Sequence, residues 1–352
     1  MQQNQADSAQ QPVQNWKKVL LFIVLVAIGL FWAKWQPYFA KIFIASSKHS
    51  IGKSILAGLP SSSWAAAWGY ARVYFLAIWK ALLVAVIVAS LIQVLLPRNW
   101  VTRALGKTGF LSTMTGGLLA LPGMMCTCCA APIVIGLRKC KSSVGAAVAF
   151  WFGNTAINPA VLIFMFFVLG WKFTVLRLVF GLILVFGVSY LANRLAGGEM
   201  VDDSVLAVPN TEDEEEQNRG LASRWFKALW RLIIGIVPVY IISVLLLAFA
   251  RAWLFPAGGL GGQDSIALIA GLAIAGTFFV IPTAAEIPII QALLSMWLGT
   301  GAAAALLITL PVISLPSMLM VRKALPAKVM LFLMVSVIVL GIVAGFIAKA
   351  LF

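Results

Sequence analysis

Three cysteines, Cys126, Cys128 and Cys129, fall within four positions inside the run Pro122-Gly-Met-Met-Cys-Thr-Cys-Cys-Ala-Ala-Pro132. One buried Cys is ordinary packing material. Three in a stretch bounded by helix-breaking prolines suit a binding site, because thiolates near a helix N-terminus are activated and take soft species. Trivalent arsenic, soft metal ions and sulfur compounds that exchange with thiols fit that chemistry. A zinc centre is not indicated, since the single histidine, His49, is distant and no four-ligand set is apparent. Nor is this a secreted disulfide framework. Cys140, beside Arg138 and Lys139, reads as incidental.

Glu286 stands out among only 11 acidic residues. The other ten are expected in tails, loops or a linker, whereas Glu286 lies in an apolar stretch between Ala285 and Ile287. A charged side chain at the bilayer centre costs roughly 2.5–3.5 kcal/mol on insertion scales, so such residues face cavities and serve ion or proton pathways. Burial disfavours the ionised form, which suits proton exchange. The plainer alternative is a carboxylate at the start of a half-helix, before Pro288.

The two motifs are related. Shifted by 156 positions, Pro122 to Pro132 aligns without a gap on residues 278–288, a second broken segment that carries Ile281-Pro282-Thr-Ala-Ala-Glu286-Ile-Pro288. Thr127 falls on Thr283, Pro132 on Pro288, and Gly145-Ala-Ala on Gly301-Ala-Ala. Proline-broken helices at matching positions in two halves of a membrane chain point to a transporter's substrate site. A third element, Gly153-Asn154-Thr-Ala-Ile-Asn158-Pro159, has its counterpart in Thr309-Leu-Pro311-Val-Ile-Ser314-Leu-Pro316. Proline and asparagine there should unwind a span and free backbone groups to line a cavity. Asn154 and Asn158, four apart, can share a helix face, either in the site or in an interhelical hydrogen bond. Lys80, Arg177, Arg231 and Arg251 fall near span ends and are expected to snorkel. Trp32, Trp35, Trp100, Trp171 and Trp253 read as interfacial anchors.

The elements that must position these residues are membrane spans. The chain is 62% apolar, with mean hydropathy +1.00, which excludes an ordinary soluble domain. Runs of about 20 apolar residues predict spans at 18–34, 73–96, 143–169, 171–193, 229–254, 301–321 and 328–350. The net charge of +15 fits cationic cytoplasmic loops better than nucleic acid, because no basic run is interleaved with aromatics. Residues 1–17 read as a disordered tail. Residues 18–72 form a first span, a signal anchor, and an extracytoplasmic connection. Residues 73–193 form repeat 1 and 227–352 repeat 2. The acidic 194–226, with Asp202, Asp203 and Glu212 to Glu216, is a cytoplasmic linker.

Lys and Arg cluster around 98–107, 138–141, 194–227 and 322–328, so these connections are expected inside. Residues 255–264 and 297–300 have no Lys or Arg and are expected outside. Segment 110–137 then begins and ends inside, and 265–296 begins and ends outside. Both become re-entrant hairpins entering from opposite faces. Each repeat has three spans and one hairpin, an odd count that inverts the second repeat. The competing drawing, nine full spans with parallel repeats, gains from Lys34, Lys41, Lys48, Lys53 and Arg72, which the first scheme leaves outside.

No P-loop and no nucleophile–base arrangement is present, so catalysis is not expected. No cofactor or metal is expected either. The expected partners are a small-molecule substrate and the lipid bilayer; a homo-oligomer is compatible with this pattern. The rival readings are a membrane thiol relay using Cys126 to Cys129, and a pore for a sulfur oxyanion with half-helix N-termini at its hairpin tips.

At these motifs the chain resembles the YraQ-type predicted permeases, a group related to the ArsP organoarsenical efflux permeases. The resemblance covers nearly the whole chain. It includes His49-Ser-Ile-Gly-Lys-Ser-Ile-Leu56, Pro122 to Pro132, Gly153 to Pro159 and Phe279-Val-Ile-Pro-Thr-Ala-Ala-Glu-Ile-Pro288. It implies a multi-pass bacterial inner-membrane permease with its N-terminus in the cytoplasm. It also implies efflux of trivalent organoarsenicals through a first-motif cysteine pair, carried here onto Cys126 and Cys128. Cys129 departs from that pair.

Overall fold

A computed structural model describes residues 3–52, 64–96, 98–197, 220–254, 265–296 and 298–352. All regular structure among them is helical. In a bilayer this follows from the backbone, since helices satisfy every N–H and C=O within their own segment. Seven stretches are long and apolar enough to cross: Trp16–Lys48, Trp68–Leu95, Val144–Val168, Trp171–Ala196, Leu221–Phe249, Thr300–Val321 and Ala327–Leu351. Thr300–Val321 is the innermost, 83% buried, and Trp16–Lys48 the outermost, 17% buried.

The N-terminal region differs from its expected form. Helix α1 (Gln3–Leu30) passes through a π-helical turn (Phe31–Trp35) into α2 (Gln36–Lys48). The stretch from Gln3, read as a tail, is helical, in keeping with the helix propensity of Gln and Ala. Lys34, Lys41 and Lys48 therefore lie on a helix rather than in a loop. The π turn rotates the register so that Ala33 and Lys34 point inward, along with Tyr38 of α2. Lys53 and the acidic run of the linker lie outside the described residues, and α10 (Ser189–Ala196) and α11 (Leu221–Leu254) extend into the ends of the linker.

The two halves repeat one element order. In the first half, α3 (Trp64–Leu95) and α4 (Arg98–Leu105) lead to α5 (Phe110–Ala120), α6 (Thr127–Lys139), α7 (Val144–Ala156), α8 (Pro159–Val168) and α9 (Trp171–Leu182), which a second π turn (Ile183–Val188) joins to α10. In the second, α11 leads to α12 (Ile266–Phe278), α13 (Glu286–Met296), α14 (Thr300–Val312), α15 (Leu315–Val321) and α16 (Ala327–Leu351). Phe110 and Ile266, Val144 and Thr300, Pro159 and Leu315, and Trp171 and Ala327 open paired helices, each pair 156 positions apart. Packing repeats too: α5 lies on α7 as α12 lies on α14, and α7 on α10 as α14 on α16. The halves also exchange a contact, with α6 against α15 and α13 against α8.

Helices α5, α6, α12 and α13 have 11, 13, 13 and 11 residues. At 1.5 Å per residue none exceeds about 20 Å, too short for a hydrocarbon core of about 30 Å. Each pair is interrupted by an irregular break, residues 121–126 and 279–285. Each break contains one non-glycine residue with a left-handed backbone, Met124 (φ 47°) and Ala284 (φ 70°), a conformation costing about 1–2 kcal/mol. Pro122 and Pro282 lie within the breaks. Pro132, expected to close the first, instead lies inside α6, where its missing N–H leaves the Cys128 carbonyl without its helical partner. Pro288 occupies the first turn of α13, where proline costs little.

Candidate functional site

The first break is held from three sides. Trp35 donates its indole N–H to the Pro122 carbonyl (2.9 Å), so it clamps the break rather than anchoring at the interface. Asn154 of α7 accepts from the Met125 amide (3.3 Å) through Oδ1 and donates to the Phe150 carbonyl (2.9 Å). A Cβ at Gly123 would collide with that same Oδ1, so this position needs glycine. Trp151 donates to the Thr127 carbonyl (3.0 Å). Cys126 is the N-cap residue of α6, and its sulfur sits 2.9 Å from that of Cys129.

The three thiols do not converge. Cys128 faces the Ser314 hydroxyl (3.6 Å), which Thr127 also meets (3.3 Å). All four cysteines are buried, and no disulfide joins them. Among the described residues no group of three metal-ligating side chains comes together. Cys140, expected in a loop, is buried with its sulfur toward the Ile92 carbonyl (3.8 Å).

The second break carries the charge. Lys34 is buried and donates to Tyr38 Oη and Thr283 Oγ1, both at 3.1 Å, and it lies close enough to Cys126 and Cys129 to interact electrostatically with both. Tyr70 of α3 fixes the strand of the break through the Val280 carbonyl (2.7 Å). Glu286 opens α13 with 1% of its surface exposed. Its Oε1 pairs with Arg177 Nη1 at 2.8 Å, while Oε2 is buried with no hydrogen-bond partner among the described residues.

Arg177 overturns the snorkelling expectation, since it is 1% exposed. The broken span explains this. Helix α7 ends at Ala156, leaving terminal carbonyls without helical donors. Arg177 donates to the carbonyls of Thr155 (2.8 Å) and Ala156 (3.3 Å), and its remaining nitrogen reaches Glu286. Lys80, by contrast, is exposed and stacks over Trp32 and Trp79, as an interfacial cation does. Arg231 is exposed, and the side chain of Arg251 lies outside the described residues.

Met125, Cys126, Thr155, Val161, Ile281, Pro282, Thr283, Glu286 and Pro311 enclose a cavity between the breaks, with room for a water-sized guest in this conformation. Of the predicted site residues, Cys126, Thr283 and Glu286 line it together with Pro282 and Pro311. Cys129 touches Cys126 from behind. Asn154 holds the break, and Asn158 caps α8 by accepting from the Val161 amide (3.3 Å). Ser314, its repeat counterpart, caps α15 in a reciprocal box with Ser317, just ahead of Pro316. None of Lys34, Tyr38, Arg177, Thr155 and Ser314 is among the predicted site residues. The hydroxyls of Tyr74 and Tyr240, whose rings lie 6.1 Å apart, are buried near one another, with no partner at full hydrogen-bonding geometry among the described residues.

Two halves of proline-broken helices around a small, mostly apolar cavity that holds one buried carboxylate, within a shell of spans, fit a multi-pass membrane transporter. The chain belongs to the predicted permease family ArsP_1, whose model matches residues 64–350. It is 48% identical over 345 residues to the UPF0718 protein YraQ of Escherichia coli strain K12, covering 97% of both chains. It is 24% identical over 341 residues to the UPF0718 protein MJ0584 of Methanocaldococcus jannaschii, covering 76% of this chain and 90% of that relative. No solved structure matches.

Proposed function

We propose that the chain is a bacterial inner-membrane permease, with its N-terminus in the cytoplasm, that moves a small soft or thiol-reactive solute through the cavity between the breaks. The cargo class is trivalent organoarsenicals or sulfur-containing compounds. The single observation that carries this reading is the shared cavity: Cys126 of one half lines it together with Thr283 and Glu286 of the other. A thiol supplies affinity for a soft atom, and the buried carboxylate supplies a place for a proton. Coupling to an ion gradient runs through Glu286.

In this reading α5–α6 and α12–α13 are re-entrant hairpins of two inverted repeats. The matched helix starts and the exchanged contacts, α6 with α15 and α13 with α8, support a two-fold relation between halves. The short length of all four helices supports hairpins over spans.

Uptake into proteoliposomes tests the function, with methylarsenite, arsenite, thiosulfate and small thiols as cargo. Transport of one of them, lost in Cys126→Ser, supports the reading; a full panel that never moves sinks it. One observation favours a second reading, a thiol relay: the 2.9 Å approach of Cys126 and Cys129. Reversible oxidation of that pair during turnover, without solute flux, selects it.

A further inference from the structure

The carboxylate of Glu286 is only half used. Arg177 takes Oε1 at 2.8 Å, leaving Oε2 buried, with no hydrogen bond among the described residues, on a residue that lines the cavity. A buried acceptor left unpaired carries its full desolvation penalty, so native structures provide it with a partner. Among the described lining residues each donor is already engaged. Met125, Val161, Ile281, Pro282 and Pro311 have apolar side chains, Thr155 donates its hydroxyl to the Phe152 carbonyl, the Cys126 thiol faces Cys129, and Thr283 accepts from Lys34 while its own O–H lies toward the Cys126 sulfur. The missing partner is therefore a donor that arrives with the guest.

We infer that the cargo carries an O–H or N–H group beside its soft atom, and that Glu286 Oε2 is the acceptor that selects for it while Cys126 meets the soft atom. This rests on the permease reading of the same cavity and adds the polar half of the substrate. It also gives coupling a physical basis. Oε2 can hold a proton or accept the cargo's hydrogen bond, and the two occupancies compete. Cargo and proton then exchange across the membrane in opposite directions. Arg177 acts as a positioning residue: having donors only, it fixes which oxygen remains open.

The test uses two thiol-reactive probes in the full-length protein in nanodiscs, 2-hydroxyethyl methanethiosulfonate and its 2-methoxyethyl analogue. Both react identically at sulfur. The cysteine sulfur displaces methanesulfinate and forms a mixed disulfide, and the thiol proton passes to solvent. They differ in one O–H donor. Mass spectrometry of the Cys126 peptide gives both rates.

A site built around a buried polar group rejects analogues that lack its partner, so the hydroxyl probe should react at least about tenfold faster. Free cysteine supplies the reference ratio. In Glu286→Gln, Arg177 retains the amide oxygen and the amide NH₂ faces the cavity. That group donates to the ether and the hydroxyl alike, so the ratio should fall to about one. A purely structural loss would instead slow both probes equally. Equal rates in the wild type overturn this inference and leave the permease reading intact. If neither probe reaches Cys126, both fall.

Discussion

Arg177 and Glu286 meet at 2.8 Å with 2% of each side chain exposed, yet they belong to different halves of the chain, on α9 and α13. The pair ties the broken span of the first repeat to the broken helix pair of the second. Guanidinium hydrogen bonds to Thr155 and Ala156 add the carbonyl end of α7 to the same knot.

Breaking such a pair from one side strands a buried charge and costs about 3–5 kcal/mol, whereas removing both partners is far milder. Arg177→Met and Glu286→Leu should each lower the unfolding midpoint in detergent strongly. The double variant should recover most of the loss. Additive effects in the three variants would show that the two residues do not act as a pair.

Glu286→Gln keeps shape and one acceptor oxygen but holds no exchangeable charge. Uptake driven by a pH gradient should disappear, while exchange of labelled for unlabelled solute persists. Proteoliposome flux with and without the gradient separates the two; unchanged coupling would remove Glu286 from the proton path.

The cysteines should not be equivalent. Cys126 lines the cavity, whereas Cys128 lies against Ser314. Cys126→Ser should depress transport at least about tenfold, the scale of losing one ligand-tuning contact. Cys128→Ser, which exchanges one hydrogen-bonding group for another beside a hydroxyl, should change it by less than about threefold. Solute flux through each single variant settles the ranking.

Gly123→Ala forces a methyl into Asn154 Oδ1 and displaces the Met125 amide from it. Overpacking of this kind costs about 1–3 kcal/mol. Thermal unfolding should show that loss, and Asn154→Ala in the same chain should relieve part of it.

Topology can be read by labelling. Lys107 and Lys141 are exposed and flank α5–α6. Lys107→Cys and Lys141→Cys should both react with an impermeant maleimide from the cytoplasmic face only, and Ser295→Cys from the opposite face. Labelling of 107 and 141 from opposite faces would turn the hairpin into a full crossing.

Hydropathy and proline placement made the seven spans and both breaks legible, because a bilayer imposes length and composition directly on sequence. Pro132 reads as a stop in the sequence, whereas α6 carries it internally. Arg177 and Lys34 were illegible for a different reason. Each lies near the end of an apolar run, where a cation ordinarily reaches water. What turns them inward is local geometry invisible in composition: a π turn that shifts the face of the N-terminal helix, and free carbonyls at Ala156 that recruit a guanidinium. Glu286 was legible by scarcity alone. Its half-occupied carboxylate was not, since that depends on which neighbour reaches it first.

The bond from Lys34 to Thr283 has one more consequence. The N-terminal helix precedes the repeated units and touches both breaks, through Trp35 at Pro122 and Lys34 at Thr283, but it gives its ammonium to the second alone. The duplicated halves are therefore lined unequally, sulfur on one wall and ammonium with carboxylate on the other. A carrier with identical walls would meet its cargo in the same way from either side of the bilayer. On the permease function proposed above, the two approaches encounter different chemistry, and the N-terminal helix supplies that difference.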